Sequence, residues 1–180
     1  LRPPGHPDPR APDPGRASPL SASFDGVDLY FSARTQSVKI AVCIKRVPDT
    51  ETRIRIAGDG VSIDETGVKF VLNPYDEYAV EEALQRREKA GGGEVVVVTL
   101  GPEAAQEPMR TAFALGADRG ILLKADAVPA DSLAVAKALA AELRDGCYDL
   151  VLFGKIAADD GNQAVGPMVG ELLGLPCVTA

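Results

Sequence analysis

Apolar residues come in two rhythms along this chain, and the rhythms alternate. Short apolar runs of the kind that strands buried on both faces require occur at 39–44 (KIAVCI), 94–100 (EVVVVTL), 121–123 (ILL) and 149–153 (DLVLF). Between them apolar residues recur at helical spacing. Ala79, Val80, Ala83 and Leu84 predict a helix from 73 to about 90, with Glu81, Glu82, Arg86, Arg87 and Lys89 on its wet face. Ala105, Met109, Ala112 and Phe113 predict a second over 103–115, in which Pro108 either distorts the first turns or marks the start. Leu133, Val135, Leu139 and Leu143 predict a third over 131–144, and Val165, Met168, Val169, Leu172 and Leu173 a fourth over 163–173.

The punctuation agrees with the rhythm. Asn73 is placed to cap the first helix and Pro74 suits its first turn, while Gly91, Gly92 and Gly93 close it. Asp131 is placed to cap the third helix, and Gly174 sits where the fourth should stop. After the first strand, 45–49 (KRVPD) reads as a cationic loop that Pro48 keeps out of helix. The runs 53–56 and 61–63 flank Ala57-Gly58-Asp59-Gly60 as a hairpin would, 68–72 reads as a further short strand, and 177–179 as the start of another. Strands alternating with helices predict an α/β fold: an open, mostly parallel sheet with helices on both faces, right-handed crossovers, and a small β-hairpin excursion after strand 1.

Residues 1–37 have neither rhythm. The first twenty carry seven of the fourteen prolines, so this stretch reads as a disordered Pro-rich leader, either a linker or an upstream extension of a true start near Val38. It has no apolar core of a secretory signal, and its aspartates argue against a mitochondrial transit peptide. Residues 38–180 then make one α/β domain.

Charge and rare residues narrow the chemistry. The net charge of −7 argues against nucleic acid as a partner, since phosphate backbones need clustered cations. The only histidine, His6, lies in the leader, so no His-based catalytic or metal site is available to the folded part. Cys43, Cys147 and Cys177 form no C-x-x-C pair and read as small hydrophobes in a reducing compartment, and no apolar run is long enough to insert into a membrane. There is no catalytic nucleophile with a base, and neither a Walker loop nor G-x-G-x-x-G.

What remains is a loop in the right place. The stretch 154–166 (GKIAADDGNQAVG) joins the carboxyl end of the fourth parallel strand to the amino end of the last helix, where open α/β sheets bind ligands. Turns and caps alone also collect Gly and Asp, and pattern weighs the two readings about level. Lys45 and Arg46 at the first strand's end read as solvated rather slightly more than as partners of an anion. If the loop binds, three strand ends meet in a slot: Cys43-Ile44-Lys45, Thr99-Leu100-Gly101 and Phe153-Gly154-Lys155. A purine would lie on apolar backbone there, and a phosphate on N–H groups at the start of the last helix.

Four motifs in this order, KRVPD at 45–49, NPYDEYAVEEA at 73–83, Arg119-Gly120 within GADRGI, and Gly154-Lys155 with its loop, resemble the beta subunit of electron transfer flavoprotein from about Val38 to Ala180. The resemblance implies a Rossmann-like fold of the adenine nucleotide alpha hydrolase-like kind. It implies an electron carrier subunit rather than an enzyme, partnered by an alpha subunit that holds most of the FAD site. Such a heterodimer carries electrons from acyl-CoA and other dehydrogenases to a membrane quinone oxidoreductase, in the cytoplasm of bacteria or the mitochondrial matrix of eukaryotes. In this subunit it implies AMP as a structural ligand. The residues that the resemblance assigns to AMP are Cys43, Asn73, Leu100, Gly154, Lys155, Asp159, Asp160, Gly161, Asn162, Gln163, Ala164, Val165 and Gly166.

The sequence departs from the family pattern at three points. Ile156 stands where Gln is usual. Asn162-Gln163 suits AMP-type loops, while Val165-Gly166-Pro167 matches bifurcating, NADH-using members that bind a second FAD here. The chain also stops before the family's carboxyl-terminal part. A subunit of a bifurcating complex, or a free-standing nucleotide-binding regulatory module, are the alternative readings.

Overall fold

The structure is a computed structural model that describes residues 20–24, 27–31 and 37–179. Two units are present. In the first, residues 1–35, β1 (Leu20–Phe24) and β2 (Val27–Phe31) pair antiparallel. The expectation of a disordered leader falls mostly outside the described residues, and this strand pair was no part of it.

The second unit, residues 36–180, carries the sheet. The apolar runs become β3 (Val38–Cys43), β6 (Gly93–Gly101), β7 (Arg119–Lys124) and β8 (Leu150–Phe153). All neighbouring pairs are parallel, in the order β7-β6-β3-β8. The first strand is thus central, and the winding direction reverses between β3 and β8.

Because side chains alternate across a strand, β3 and β6 each serve two cores. Ile40, Val42, Val95 and Val97 pack with Val80, Ala83, Leu84, Met109 and Ala112, residues of α1 (Pro74–Lys89) and α2 (Gln106–Leu115). Ala41, Cys43, Val96 and Val98 pack with Ala136, Leu139, Ala140, Leu143 and Val169, residues of α3 (Ser132–Arg144) and α4 (Val165–Leu173). Val95, Val96, Val97 and Val98 are all fully buried, which explains a run that shows no alternation in sequence.

Helix ends follow local chemistry. Asp131 caps α3, accepting from the backbone N–H of Leu133 at 3.2 Å and Ala134 at 3.0 Å. Gly174 ends α4 in the left-handed region at φ 67°. A single 3₁₀ turn over Glu103–Ala105 precedes α2, so Pro108 falls in the first α-helical turn, where no N–H is needed. Phe113, expected inside, is 40% exposed.

Three segments differ from the sequence expectation. The supposed cationic loop forms β4 (Arg46–Pro48), which pairs antiparallel with β5 (Phe70–Leu72). Val47 is fully buried there, and the Arg46 guanidinium stacks 3.3 Å from the centre of the Phe70 ring. The hairpin over 53–63 shrinks to one bridge, Ile56 to Ile63, because Ile54, Ile56 and Val61 find no layer to cover them and stay exposed. Cys177–Thr179 joins no strand: the Cys177 side chain turns back against Gly170 of α4, and Val178 is exposed.

Candidate functional site

At the carboxyl ends of β3, β6 and β8 lies a cavity of about 380 Å³. It sits at the point where the winding reverses, the usual ligand position in open α/β sheets. Val135 and Leu139 of α3 make an apolar wall, continued by Val128, Pro129 and Ala130 of the segment before that helix. The facing side is polar and comes from Lys45, the start of α1 and the 154–166 loop.

The start of α1 organises that polar side. Asn73 is almost fully buried but makes no side-chain cap. Its amide instead spans to the loop: Nδ2 donates to the Ile156 carbonyl at 2.9 Å, and Oδ1 accepts from the Ala158 N–H at 3.1 Å. The capping role read from the sequence is therefore corrected, since a longer-range partner wins the side chain. Three residues on, Asp76 is also buried and accepts from the Lys45 backbone N–H at 2.7 Å. Burial pushes its carboxyl up to about 6, against the opposing pull of the Lys45 N–H, the Asn73 side chain and the Gly154 N–H.

Gly154 permits this closeness. A Cβ there would stand 2.1 Å from Asp76 Oδ1 and 2.6 Å from the Asp76 backbone N. Only glycine lets the end of β8 lie against the first turn of α1. The chain then bends sharply: Ile156 N–H donates back to the Gly154 carbonyl at 2.6 Å, with Lys155 between them at φ 65°. Such a γ-turn on a non-glycine residue is strained.

The distal loop is held by charge. Lys45 Nζ bonds Asp159 Oδ1 and Asp160 Oδ2, both at 2.8 Å. Burial disfavours the ammonium, but the two carboxylates outweigh it and raise its pKa. Burial likewise opposes the charge on Asp160, yet Lys45 and the Asn162 N–H hold that carboxyl below its ordinary value. Neither Lys45 nor Arg46 is a merely solvated cation, as the sequence had weighed slightly more heavily.

Where the loop ends, α4 begins without a side-chain cap. Among the described residues nothing accepts from the N–H groups of Val165 and Gly166, and both residues line the cavity. Gly166 also lets the helix approach β8, since a Cβ there would stand 3.3 Å from the Phe153 ring. Two N–H groups without an acceptor and the positive end of a helix therefore border the cavity, an arrangement suited to anions.

The structure brings twelve of the thirteen sequence-selected positions to this cavity: Cys43, Asn73, Leu100, Gly154, Lys155, Asp159, Asp160, Asn162, Gln163, Ala164, Val165 and Gly166. Gly161 is not on its lining; it sits at φ 64° in the loop's turn, where its N–H reaches the Ala157 carbonyl. Sequence reasoning missed Asp76 and the 128–130 segment. An acid in a helix's first turn is ordinarily a dipole partner, and nothing marked Val128-Pro129-Ala130 except its proline. The buried Cys43 thiol is pushed up by burial, then by the Asp76 charge, and stays neutral. Among the described residues no group of three His, Cys, Asp or Glu side chains could hold a metal ion, and no helix is long and apolar enough to cross a membrane.

Comparison with known proteins gives this geometry a lineage. The family model described as the electron transfer flavoprotein domain matches residues 60–180. The chain is 46% identical over 142 residues to electron transfer flavoprotein subunit beta of Syntrophomonas wolfei, covering 79% of this chain and 55% of that one. It is 44% identical over 137 residues to the Bradyrhizobium diazoefficiens subunit, covering 76% and 55%, and 39% identical over 144 residues to that of Bacillus subtilis, covering 79% and 55%. The chain thus spans about half the length of the curated relatives it matches. With a doubly covered parallel sheet, a cavity at its reversal point and these matches in hand, the chain belongs to the electron transfer flavoprotein beta-subunit family.

Proposed function

We propose that this chain is the nucleotide-binding part of an electron transfer flavoprotein beta subunit and that its cavity holds AMP. The observation that carries this reading is the pairing of an apolar wall, Val135 and Leu139, with the two open N–H groups at the start of α4. A purine suits the first and a phosphate the second. The fit is one of chemistry as well as place: Asn73 and Asp76 add a polar floor, and Gln163 and Asn162 add amides at the rim. At about 380 Å³ the cavity lies near the lower end of the range for small-molecule sites, which suits a mononucleotide better than a second FAD.

AMP in such a site has no reaction to perform; it braces the sheet edge. The redox chemistry belongs to an FAD held mainly by an alpha subunit, and the pair carries electrons from dehydrogenases, acyl-CoA dehydrogenases among them, toward a membrane quinone oxidoreductase. This chain's own residues bind and orient the nucleotide and exclude water from its base.

The test is the ligand content of the full-length subunit purified with its alpha partner. One AMP and one FAD per heterodimer, identified by mass spectrometry after acid release, is the expected result. Two FAD and no AMP would replace this reading with that of a bifurcating complex, and no nucleotide at all would end it. Asp160→Ala or Asn162→Ala should lower AMP retention through gel filtration, whereas unchanged content would remove the loop from the site.

A further inference from the structure

The loop that rims the cavity is tied to the rest of the fold unevenly. Its proximal half is fixed by Asn73, which holds the Ile156 carbonyl and the Ala158 N–H. Its distal half, from Asp159 on, is bonded mostly to itself: the Asp160 N–H to Asp159 Oδ1 at 2.8 Å, the Gly161 N–H to the Ala157 carbonyl at 3.0 Å, and the Asn162 N–H to Asp160 Oδ1 at 3.2 Å. Among the described residues, the bonds that reach outward from Asp159 to Gln163 go to a single group, the Lys45 ammonium.

We infer that Lys45 is the positioning residue of this site, a latch at the end of β3 whose two carboxylate bonds hold the distal loop in the shape that frames the cavity. Three features favour a latch over an ordinary surface ion pair. One cation closes on two adjacent carboxylates, so releasing the loop breaks two charge-assisted bonds together. The Lys45 side chain is only 36% exposed, and its backbone N–H is independently anchored by buried Asp76, so its stem starts from a fixed point. The carboxylates that shape the turn are the ones that Lys45 grips: Asp159 Oδ1 accepts both the Asp160 N–H and the ammonium, and Asp160 accepts the Asn162 N–H on Oδ1 and the ammonium on Oδ2. Grip and loop shape are therefore one unit. A nucleotide that fills the cavity would leave only after this latch opens, and salt would loosen it.

The latch can be tested without any ligand, by hydrogen exchange of the full chain. In Lys45→Met the amides of Asp160, Gly161 and Asn162 should exchange about tenfold faster than in the wild type, while those of β3 and β6 stay unchanged. Lys45→Arg should restore most of the protection. Raising salt should speed loop exchange in the wild type and not in Lys45→Met. Loop exchange unchanged by Lys45→Met, or equally salt-dependent in both proteins, would overturn the proposal. If Lys45→Met fails to fold, the double variant Asp159→Asn/Asp160→Asn gives the same reading from the other side. A second arm rests on the nucleotide proposal: stopped-flow release of N-methylanthraniloyl-AMP should be faster in Lys45→Met. If the wild type does not bind this probe, the nucleotide proposal fails while the exchange data still decide the latch; if it binds and release is unaltered, the latch does not gate the ligand and the inference is refuted.

Discussion

A carboxylate buried beside an apolar cavity should cost the fold stability as it ionises, and Asp76 makes this measurable. Its carboxyl titrates near 6 rather than at the ordinary 3.8, chiefly because burial penalises the charge. At about 1.4 kcal/mol per unit, a shift of about two units corresponds to roughly 3 kcal/mol. The folded chain keeps this proton to higher pH than the unfolded chain does. Between about pH 4 and 6 the native state binds more protons, so stability contributed by this group falls as pH rises and levels off above about 6. Asp76→Asn keeps the shape and removes the charge. Urea unfolding of wild type and variant at half-unit steps from pH 4 to 7.5 isolates the effect, because all other titrating groups cancel in the difference. The stability of the wild type minus that of the variant should drop by roughly 3 kcal/mol across the window. A difference that stays flat, or that rises with pH, would refute the argument that desolvation dominates this site.

Further outcomes follow from the same contacts. Gly154→Ala places a methyl 2.1 Å from Asp76 Oδ1 and 2.6 Å from backbone, and should cost roughly 2–3 kcal/mol in urea unfolding; a loss under about 0.5 kcal/mol would contradict the close approach. Asn73→Ala orphans the Ile156 carbonyl and the Ala158 N–H and should cost about 2 kcal/mol, with AMP retention falling in parallel; unchanged stability would show that the loop does not need this amide. Native-state maleimide labelling read by mass spectrometry should modify the exposed Cys147 and Cys177 quickly and the buried Cys43 only after unfolding; rapid labelling of all three would contradict the packing of β3. Deleting residues 1–35 should leave the melting temperature of the second unit unchanged, because among the described residues both apolar cores are built after position 37; a clear fall would reject this.

The layered architecture was readable because it depends on sequence-local signals. Four apolar runs alternating with helical periodicity point to strands and crossovers whatever the partners are, and the β-branched run Val95–Val98 between Gly93 and Gly101 reads as a strand with both faces covered, as its full burial bears out. The 154–166 loop was readable as a candidate for the same reason, since strand, glycine, polar loop and helix follow one another directly. What escaped depended on distance along the chain. Asn73 reads as a cap because its local neighbours ask for one; its actual partners are 83 and 85 residues away. Lys45 reads as solvated because its partners are not local: Asp159 and Asp160 reach it from 114 and 115 residues on. β4 escaped because a three-residue strand has no period, and what orders it, pairing with β5, burial of Val47 and the Phe70 ring beneath Arg46, comes from residues more than twenty positions on or from the core. The strand expected at 177–179 failed in the opposite sense: its composition was right, but Cys177 packs on Gly170 instead.

The central place of β3 has a consequence for how the chain matures on a ribosome. The earliest strand of the sheet is flanked by β6 on one side and by β8 on the other, and Cys43 pairs with Val98 and with Phe153. During vectorial synthesis β3 emerges long before its second neighbour, so one of its flanks stays bare while more than half of the domain is being made. The cavity, which needs the ends of both β3 and β8 and is lined as far as Gly166, accordingly cannot exist until that residue has been made. A nascent chain halted before residue 150 would display a naked apolar strand to chaperones and would have no nucleotide to recruit.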